Sequence, residues 1–409
     1  MENENSVCFI SRINKIEPIK DADKIELATI NGWTSVVQKG IHSVGDLILT
    51  ITTDAVIPSG LAEQWGVYGY LRNNSRVRTV RLKGVYSECI LVPLTSACFQ
   101  QVEKLKEGSD WMSVFGIYKY EPPAKLIELP KIKKVYFKFT EIHKAKMWKS
   151  YFNYLYNVTK NKLKKYYKDN LNFEIYHKFP NQKNVPNMFN EEDVVSITRK
   201  IHGANFRAGI VKKNYLTLPE RIRKLFGDKW IDYEYIVGSH RCEKHGGTKG
   251  FYATDIWTEM SIKYNLEKKL WDLVKNISVD LSIGKGVILY GEVFGAGVQG
   301  EHYNYGLDHR ELTFFDIEID GKYQDVLTFT DILTSDLELT IVEELFLGNW
   351  RKEAQDSYEY GHFIGISHVP HEGVVVKDVS GNRRKVSKIV NPAYLIFGEK
   401  NNIEDLEAH

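Results

Sequence analysis

Hydrophobic and polar positions along the chain change their pattern twice. From residue 1 to about 120, β-branched runs such as "WTSVVQKG", "GDLILTITTDAVIP" and "SRVRTVRLKG" end at Gly, Pro or Asp and show little helical period. Short strands at close spacing are typical of a small barrel or sandwich. We therefore predict a β domain over residues 1–120.

Residues 121–189 have a different composition. The stretch "PKIKKVYFKFTEIHKAKMWKSYFNYLYNVTKNKLKKYYKDN" is rich in lysine and aromatic residues and poor in acids. Trp148, Phe152 and Leu155 fall at helical spacing, which predicts a basic amphipathic helix over residues 146–168. Two roles stay open for this helix: it packs its aromatic side on a neighbouring domain, or it contacts nucleic acid.

The pattern from residue 190 to the end is mixed. Strand-like runs ("DVVSITRK", "GVILYGEVFG", "ELTFFDIEID", "EGVVVKD") are interspersed with helical runs ("TEMSIKYNLEKKLWDLVKN", "DLELTIVEELFLGNWRKEAQDS"). This part of the chain is predicted to be a mixed α/β domain over residues 190–409.

Composition adds limits on location and partners. With 409 residues the chain is too long for one comfortable core, which agrees with two domains. Because the net charge is only +2, any nucleic-acid affinity must come from local clusters of charge. The four cysteines lack paired spacing, and no apolar run approaches the roughly 20 residues of a membrane helix. We expect a soluble intracellular protein, in the cytoplasm or in a nuclear or viral setting, without a membrane partner.

One lysine at a strand end raises a chemical question. In "DVVSITRK", Val195 and Ile197 share one face, and Lys200 lies on the other face at the end of the strand. His202 and Gly203 follow in a turn. A single lysine in this position is most often a solvated surface residue, so its meaning depends on the rest of the sequence.

Five short motifs occur along the second half of the chain. They are K-x-H-G at Lys200, "GEVFG" with Glu292, "FFDI" with Phe315, "EGVVVK" with Glu372, and "RRKVSKIV" with Lys385 and Lys388. In this order they resemble the nucleotidyltransferase motifs of ATP-dependent RNA ligases, over about residues 190–397. The runs "IEPIKDADKIELATINGWTSVVQKG" and "VRTVRLKGVYSECILVPL" resemble the OB-fold domain that precedes the ligase domain in the fifth RNA ligase class.

The resemblance implies an α+β fold. An N-terminal OB-fold β-barrel (1–120) is followed by a basic, aromatic-rich linker (121–189) and an adenylyltransferase domain built on antiparallel sheets (190–409). It also implies three reaction steps. Lysine attacks the α-phosphorus of ATP to give lysyl-AMP; AMP moves to an RNA 5′-phosphate; a 3′-OH then displaces AMP. The expected substrate is RNA, at nicks in duplexes, and the expected state is a monomer.

In this resemblance Lys200 is the nucleophile. A free lysine amine has a pKa of about 10.4, so near neutral pH only about one in a thousand is uncharged. Like charge from Lys385, Lys388 and a divalent cation is expected to favour the neutral amine and to stabilise the triphosphate. The two lysines lie three residues apart in "KVSKIV", where the family often has K-x-K. Which of them is the main phosphate ligand stays open.

The family's other site positions also fall on suitable residue types. Glu292 and Glu372 would hold Mg²⁺ or Mn²⁺ through water; the alternative is strand-end acids paired with lysines. Phe315 would stack on adenine, although core packing is common for such a residue. Arg241 would bind phosphate or is a plain surface arginine.

RNA contacts are expected from both domains. His202 and Asn205 match positions that serve the nucleic-acid steps. Arg76, Arg78 and Arg81 form a basic strand that would grip RNA, assisted by the helix of residues 146–168; the alternative is an OB barrel with solvated arginines. Arg199 departs from the family, which usually has an acid before the lysine.

Competing functions are less consistent with the sequence. DNA ligases and mRNA-capping guanylyltransferases share the mechanism, but they normally carry aspartate at the position of His202 and an OB domain after the catalytic one. An inactive binding module is disfavoured by the intact Lys200, Glu292 and Glu372. The G-x-G-x-x-G of residues 295–300 precedes another strand rather than the helix of a dinucleotide site. His240, Cys242 and His245 lack a fourth ligand nearby for zinc.

Overall fold

The structure is a computed structural model. It describes residues 6–71, 75–94, 105–120, 170–216, 218–227, 229–240, 243–244, 255–276, 284–299, 303–351, 370–380 and 384–400. The helix predicted for residues 146–168 lies outside these ranges. None of the described helices is long and apolar enough to cross a membrane.

The first domain is made of short antiparallel strands. They are β1 (Cys8–Arg12), β2 (Lys15–Pro18), β3 (Ile25–Ile30), β4 (Trp33–Gln38), β5 (Leu47–Thr52), β6 (Ala55–Val56), β7 (Val80–Leu82), β8 (Val85–Ser87), β9 (Cys89–Pro93) and β10 (Tyr118–Lys119). Helices α1 (Ser59–Gln64) and α2 (Met112–Phe115) and a 3₁₀ turn (Tyr68–Tyr70) lie between them. The described residues form two three-stranded sheets, β1-β5-β9 and β2-β3-β4, and the pairs β7-β8 and β10-β6.

The sheet β1-β5-β9 is buried on both faces. Ile10 and Leu49 are paired and face one core with Val92, whereas Phe9 and Leu91 face a second core on the opposite side. Alternate residues of a strand point to opposite faces, so a strand covered on both sides reads as a nearly continuous apolar run. This explains the composition of "GDLILTITTDAVIP".

The hairpin between β3 and β4 is encoded locally. Asn31 and Gly32 have φ values of 51° and 91°. Two consecutive positive φ angles define the tight turn whose twist matches that of the flanking strands, and Asn-Gly is its preferred sequence. The hairpin brings Trp33 back against the second core.

The described part of the second domain forms two antiparallel sheets. Its strands are β11 (Val194–Lys200), β12 (Ala204–Lys212), β13 (Tyr233–Gly238), β14 (Glu243–Lys244), β15 (Gly286–Gly295), β16 (Arg310–Ile319), β17 (Lys322–Tyr323), β18 (Glu344–Asn349), β19 (Gly373–Asp378) and β20 (Val386–Val390). The strand orders are β18-β11-β19-β20 and β14-β13-β12-β15-β16-β17.

The described helices of the second domain are α3 (Leu218–Leu225), α4 (Ile256–Lys263), α5 (Leu266–Asn276), α6 (Val326–Asp331) and α7 (Pro392–Lys400), with 3₁₀ turns at Gln182–Asn184 and Lys229–Asp232 and a π turn at Ile332–Asp336. Of these helices, α4, α5 and α6 pack on the six-stranded sheet. In α5, Leu266, Leu270 and Leu273 recur at helical spacing and are buried on Phe206 and Leu289 of the sheet. Among the residues that the structure describes, the largest hydrophobic core lies between α4, α5 and α6 and this sheet.

Residues 170–189 pack on the second domain rather than extending from it. Phe173 and Tyr176 are buried against Tyr290 on the face of the six-stranded sheet that lies opposite the helices. Phe189 joins Val195 in the core of the four-stranded sheet. The domain boundary at residue 190 stays a prediction, but this end of the predicted linker has well-defined packing.

Candidate active site

The two sheets of the second domain are joined at the K-x-H-G motif. Lys200 ends β11 in the four-stranded sheet, and Ala204 begins β12 in the six-stranded sheet. At Gly203 a side-chain Cβ would lie 2.2 Å from the carbonyl oxygen of Val293 and 3.0 Å from Cγ of Glu292. Only glycine fits this approach, so the crossover is packed directly against β15.

Lys200 is held at this junction by a carboxylate. Its side chain is 12% exposed and forms an ion pair with Glu372, whose side chain is 5% exposed. The contact follows from strand pairing, because Lys200 lies opposite Gly373 and Glu372 immediately precedes it. The antiparallel register thus brings the strand-end lysine to the strand-start acid.

The second carboxylate, Glu292, is near the same point. It is buried on β15 and is paired across the sheet with Asn205 of β12. Burial raises the pKa of the Tyr305 hydroxyl, and the negative charges of Glu372 and Glu292 raise it further. The two carboxylates therefore act electrostatically on the same hydroxyl.

His202 lies beneath these groups and is 1% exposed. Its Nδ1 is 2.7 Å from the hydroxyl of Tyr394 and 4.0 Å from Oε2 of Glu372. Its backbone N–H donates to the hydroxyl of Tyr305 at 2.7 Å, and its ring lies 4.4 Å from that of Tyr303. The structure places His202 in contact with the acid that holds Lys200 and not at the protein surface.

The strand register separates the two candidate phosphate lysines. Lys388 is paired with Val375, which is paired with Thr198, so Lys388 shares a sheet face with Lys200. Lys385 instead forms an ion pair with Asp193 at 2.6 Å. Only Lys388 of the two is directed toward the face that carries the nucleophile candidate.

A pocket adjoins this face. It is lined by residues of both sheets, among them Ser196, Thr198, Phe315, Glu344 and Lys377. The register of β15 and β16 shifts here: Tyr290 is paired with Asp316 and Gly291 with Phe314, which leaves Phe315 as an extra residue. Such a bulge redirects a side chain, and Phe315 lines the pocket while Phe314 stays in the core.

A buried charge cluster forms the far end of the pocket. Asp316 accepts hydrogen bonds from the hydroxyl of Tyr176 (2.7 Å), from Nζ of Lys377 (3.1 Å) and from Arg384. Burial raises the pKa of Asp316, but the charges of Lys377 and Arg384 outweigh burial and lower it below its usual value. Lys377 also donates to the carbonyl of Phe315, which fixes the bulge.

Comparison with known families matches both parts of the chain. Residues 7–94 match an OB-fold domain family, and residues 193–390 match the RNA ligase family. Residues 193–390 therefore belong to the RNA ligase family, and an OB-fold domain precedes them. The predicted α+β fold, an OB-fold domain before a ligase domain of antiparallel sheets, is confirmed.

Solved structures of Naegleria gruberi RNA ligase have the same fold. An apo mutant form is 18% identical with a TM-score of 0.63, covering 97% of this chain and 99% of that one. A form with PPi is 19% identical with a TM-score of 0.62 and the same coverage. A mutant form with ATP and Mn is 18% identical with a TM-score of 0.62, covering 97% and 100%. A comparison with curated proteins found no match.

The remaining predicted residues of the ligase have varied surroundings. Asn205 is paired with Glu292 across the sheet, and its backbone carbonyl accepts a hydrogen bond from the Trp257 indole N–H at 2.8 Å. Arg76 is tied to Asp54 and lies 4.1 Å over the ring of Tyr120. Arg78 is half-buried, and Arg81 is exposed in the β7–β8 hairpin. Arg241, Cys242 and His245 lie outside the described residues.

Several residues at the ligase site were not anticipated from the sequence. Lys377 follows Gly373 by four residues on the same strand, so the two residues share a sheet face. Because Gly373 pairs with Lys200, Lys377 lies on the same face as Lys200, and strand periodicity could have indicated it. Tyr303 and Tyr305 come from an irregular loop, and Tyr394 comes from α7, so no periodic pattern marks them. Arg199, which replaces the usual acid, forms an ion pair with Glu343 at 2.7 Å.

Asp316→Asn tests the charge cluster of the ligase. At pH 7 we expect a loss of about 3 kcal/mol in unfolding free energy, because two partly buried cations lose their buried anion. The folded-state pKa of Asp316 lies below its unfolded value of 3.8. The wild-type advantage is therefore complete above that value and is lost as pH falls through the folded pKa. Urea titrations at pH 7 and at pH 3 measure both effects.

The matched control is Asp272→Asn, an exposed acid on α5. Its unfolding free energy should stay within about 0.5 kcal/mol of wild type at both pH values. Equal losses for the two variants would show that Asp316 is not specifically stabilised by its cations.

Proposed function

We propose that this RNA ligase uses ATP and joins RNA 3′-OH and 5′-phosphate ends through a covalent lysyl-AMP on Lys200. The observation that carries the proposal is the position of the Lys200 amine, which is largely buried and bound to Glu372 where the two sheets meet. It shares a sheet face with the pocket that Phe315 lines. Related Naegleria gruberi structures hold ATP and Mn or AMP and Mn, which supports the same ligands here.

In the first step the Lys200 amine attacks the α-phosphorus of ATP. A nitrogen–phosphorus bond forms, the bond from the α-phosphorus to the bridging oxygen breaks, and pyrophosphate leaves. The RNA 5′-phosphate then attacks the same phosphorus and regenerates Lys200. Finally the 3′-OH attacks the activated 5′-phosphorus, and AMP leaves with the bridging oxygen. Each step is a displacement at phosphorus, in which positioning and charge stabilisation supply most of the catalysis.

The acids of the site fit a hydrated divalent cation. Glu292 and Glu372 are both buried; Glu372 pairs with Lys200 and Glu292 packs against Gly203. Mg²⁺ and Mn²⁺ accept carboxylate oxygens directly or through water. The negative charge of Glu372 stabilises the charged ammonium form of Lys200. A bound cation would offset that negative charge and so favour the neutral amine.

The pocket provides groups for the rest of the nucleotide. Phe315 offers a flat ring for adenine, since base–aromatic stacking needs no hydrogen-bond code. Lys388 supplies positive charge on the face of Lys200, where phosphate charge develops. Because Lys385 is engaged by Asp193, we assign the phosphate role to Lys388.

RNA binding is assigned to the OB domain together with the crossover. Arg81 is exposed, whereas Arg76 is held by Asp54, so Arg81 is the stronger candidate for a phosphate contact. His202 is buried, so it would influence RNA joining indirectly, through its contact with Glu372. We infer that a monomer seals nicks in duplexes, since both domains are present on one chain.

Lys200→Ala should abolish lysine adenylation. Loading is measured by transfer of label from α-labelled ATP to the protein in Mg²⁺ or Mn²⁺. The variant should still join a strand that already carries a 5′-AMP, because this later step does not need the nucleophile. Lys285→Ala removes an exposed lysine paired with Glu174 and should load normally. Normal loading by Lys200→Ala would rule out Lys200 as the nucleophile.

Lys388→Ala and Lys385→Ala separate the two candidate phosphate lysines. Loss of a positioned charge at the reacting phosphates should lower the rate of AMP loading about 100-fold for Lys388→Ala. Lys385→Ala removes a partly exposed ion pair and should change the rate by less than about threefold. The single-turnover rate with ATP is the measurement, and a reversed order would overturn our assignment.

Sealing of labelled nicked duplexes tests the substrate assignment. Nicks with RNA or DNA on either side are compared with single strands, using ATP and GTP. We expect ATP-dependent sealing of nicks with an RNA 3′-OH end and little joining of single strands, because the OB domain would grip a paired backbone. Equal joining of single strands would contradict nick specificity while leaving the ligase activity intact.

A further inference from the structure

A buried ion pair links the two domains of the ligase. Lys183, in the 3₁₀ turn before the ligase domain, is 1% exposed, and its Nζ lies 2.6 Å from Oε2 of Glu88 in the OB domain. Glu88 is 2% exposed and also accepts from the hydroxyl of Thr34 at 3.1 Å. The Lys183 amine lies 4.9 Å from the ring centre of Trp33, whose indole N–H donates to Asn184 at 3.2 Å.

The same short segment is bonded to strand β20. The backbone N–H of Lys388 donates to the carbonyl of Pro180 at 2.9 Å, and Asn181 forms a parallel bridge with Lys388. The hydroxyl of Ser387 donates to the fully buried Gln182 at 2.6 Å. Because β20 is the last strand of its sheet, residues 180–182 cover its outer edge.

Residues 180–184 therefore contact β20 at one end and the OB domain at the other. We propose that Lys183 and Glu88 are positioning residues that clamp the OB domain to the edge of β20 and thereby fix Lys388 on the reacting face. The proposal rests on the phosphate role of Lys388 given above. The ion pair supplies one defined docking position, since a buried charge tolerates only the geometry in which its partner is present.

The chemistry of the clamp distinguishes it from ordinary core packing. Buried ion pairs often contribute no more stability than apolar residues of similar volume, but an isolated buried charge is strongly unfavourable. Lys183 pairs with Glu88 and lies over the ring of Trp33. The segment that carries it is bonded directly to the backbone of Lys388. A shift of the OB domain would therefore move or release the edge of β20 next to Lys388. A displaced Lys388 would hold the phosphates of ATP less tightly, because a positioning group works only at its proper distance.

Lys183→Met tests the clamp, because methionine retains most of the side-chain length without the charge. We expect two results in the full-length protein. Hydrogen exchange of the Lys388 amide should become at least about tenfold faster, since its acceptor on Pro180 is no longer anchored. The ATP concentration for half-maximal AMP loading should rise about tenfold, with a smaller effect on the rate at saturating ATP.

A double-mutant cycle separates positioning from general destabilisation. If Lys183 acts through Lys388, then Lys183→Met should add little to Lys388→Ala, because the side chain that it positions is already absent. Fully additive effects on ATP dependence, or wild-type ATP dependence in a folded Lys183→Met protein, would overturn the proposal. If Lys183→Met does not fold, Glu88→Gln serves instead, since its amide oxygen retains an acceptor for Lys183 and Thr34.

The matched control is Lys213→Met, a partly buried lysine paired with Glu220 at 2.7 Å in the ligase domain. It should leave both the Lys388 amide and the ATP dependence unchanged. Failure of the proposed function would be seen separately, as absence of AMP loading in the wild type. Hydrogen exchange then still decides the clamp: faster exchange of the Lys388 amide only in Lys183→Met supports it, and unchanged exchange refutes it.

Discussion

The arrangement of the ligase domain depends on the close approach of Gly203 to strand β15. No side chain fits between Gly203 and the carbonyl of Val293. The crossover that follows Lys200 is therefore held against Val293, the residue after Glu292. Pairing of Lys200 with Gly373 fixes the distance to Glu372 in the same way. The nucleophile candidate and both carboxylates are therefore positioned by backbone packing, before any side-chain contact is considered. Such rigid placement is what displacement at phosphorus requires.

Two groups of buried charges lie in the ligase domain: the cluster around Asp316 and the pair of Lys200 with Glu372. Asp316 is surrounded by Lys377, Arg384 and Tyr176, and this cluster connects β16 of one sheet with β19 of the other. These partners are all protein groups that stay in place, and they hold the bulge at Phe315. Lys200 and Glu372 also form a buried pair, and in the mechanism we propose this pair would have to open before the amine attacks ATP. The pocket is lined by residues of the Asp316 cluster, and it adjoins the sheet face that carries Lys200.

Strand periodicity allowed much of this site to be predicted. Alternation along "DVVSITRK" placed Lys200 at a strand end opposite the apolar face, and the order of the motifs indicated which acids would be near it. The three-residue spacing of Lys385 and Lys388 already implied opposite faces. Which face is shared with Lys200 depends on long-range pairing of β20 with β19, which a sequence pattern does not contain. Tyr305 and Tyr394 were missed for the same reason, since a loop and a later helix bring them to the site only in the folded domain.

The clamp at Lys183 adds a thermodynamic constraint on how the two domains work. Residues 180–184 bond to the backbone of Lys388 and to side chains of the OB domain. In the proposed clamp, a change in the docked position of the OB domain is therefore coupled to a change in the position of Lys388. If Lys388 binds the phosphates of ATP as proposed, a nicked duplex that binds better to the docked arrangement would raise the affinity for ATP. By linkage, ATP must raise the affinity for that duplex by the same factor. An OB domain placed before the ligase domain in the chain can thus influence the nucleotide step without contacting the nucleotide.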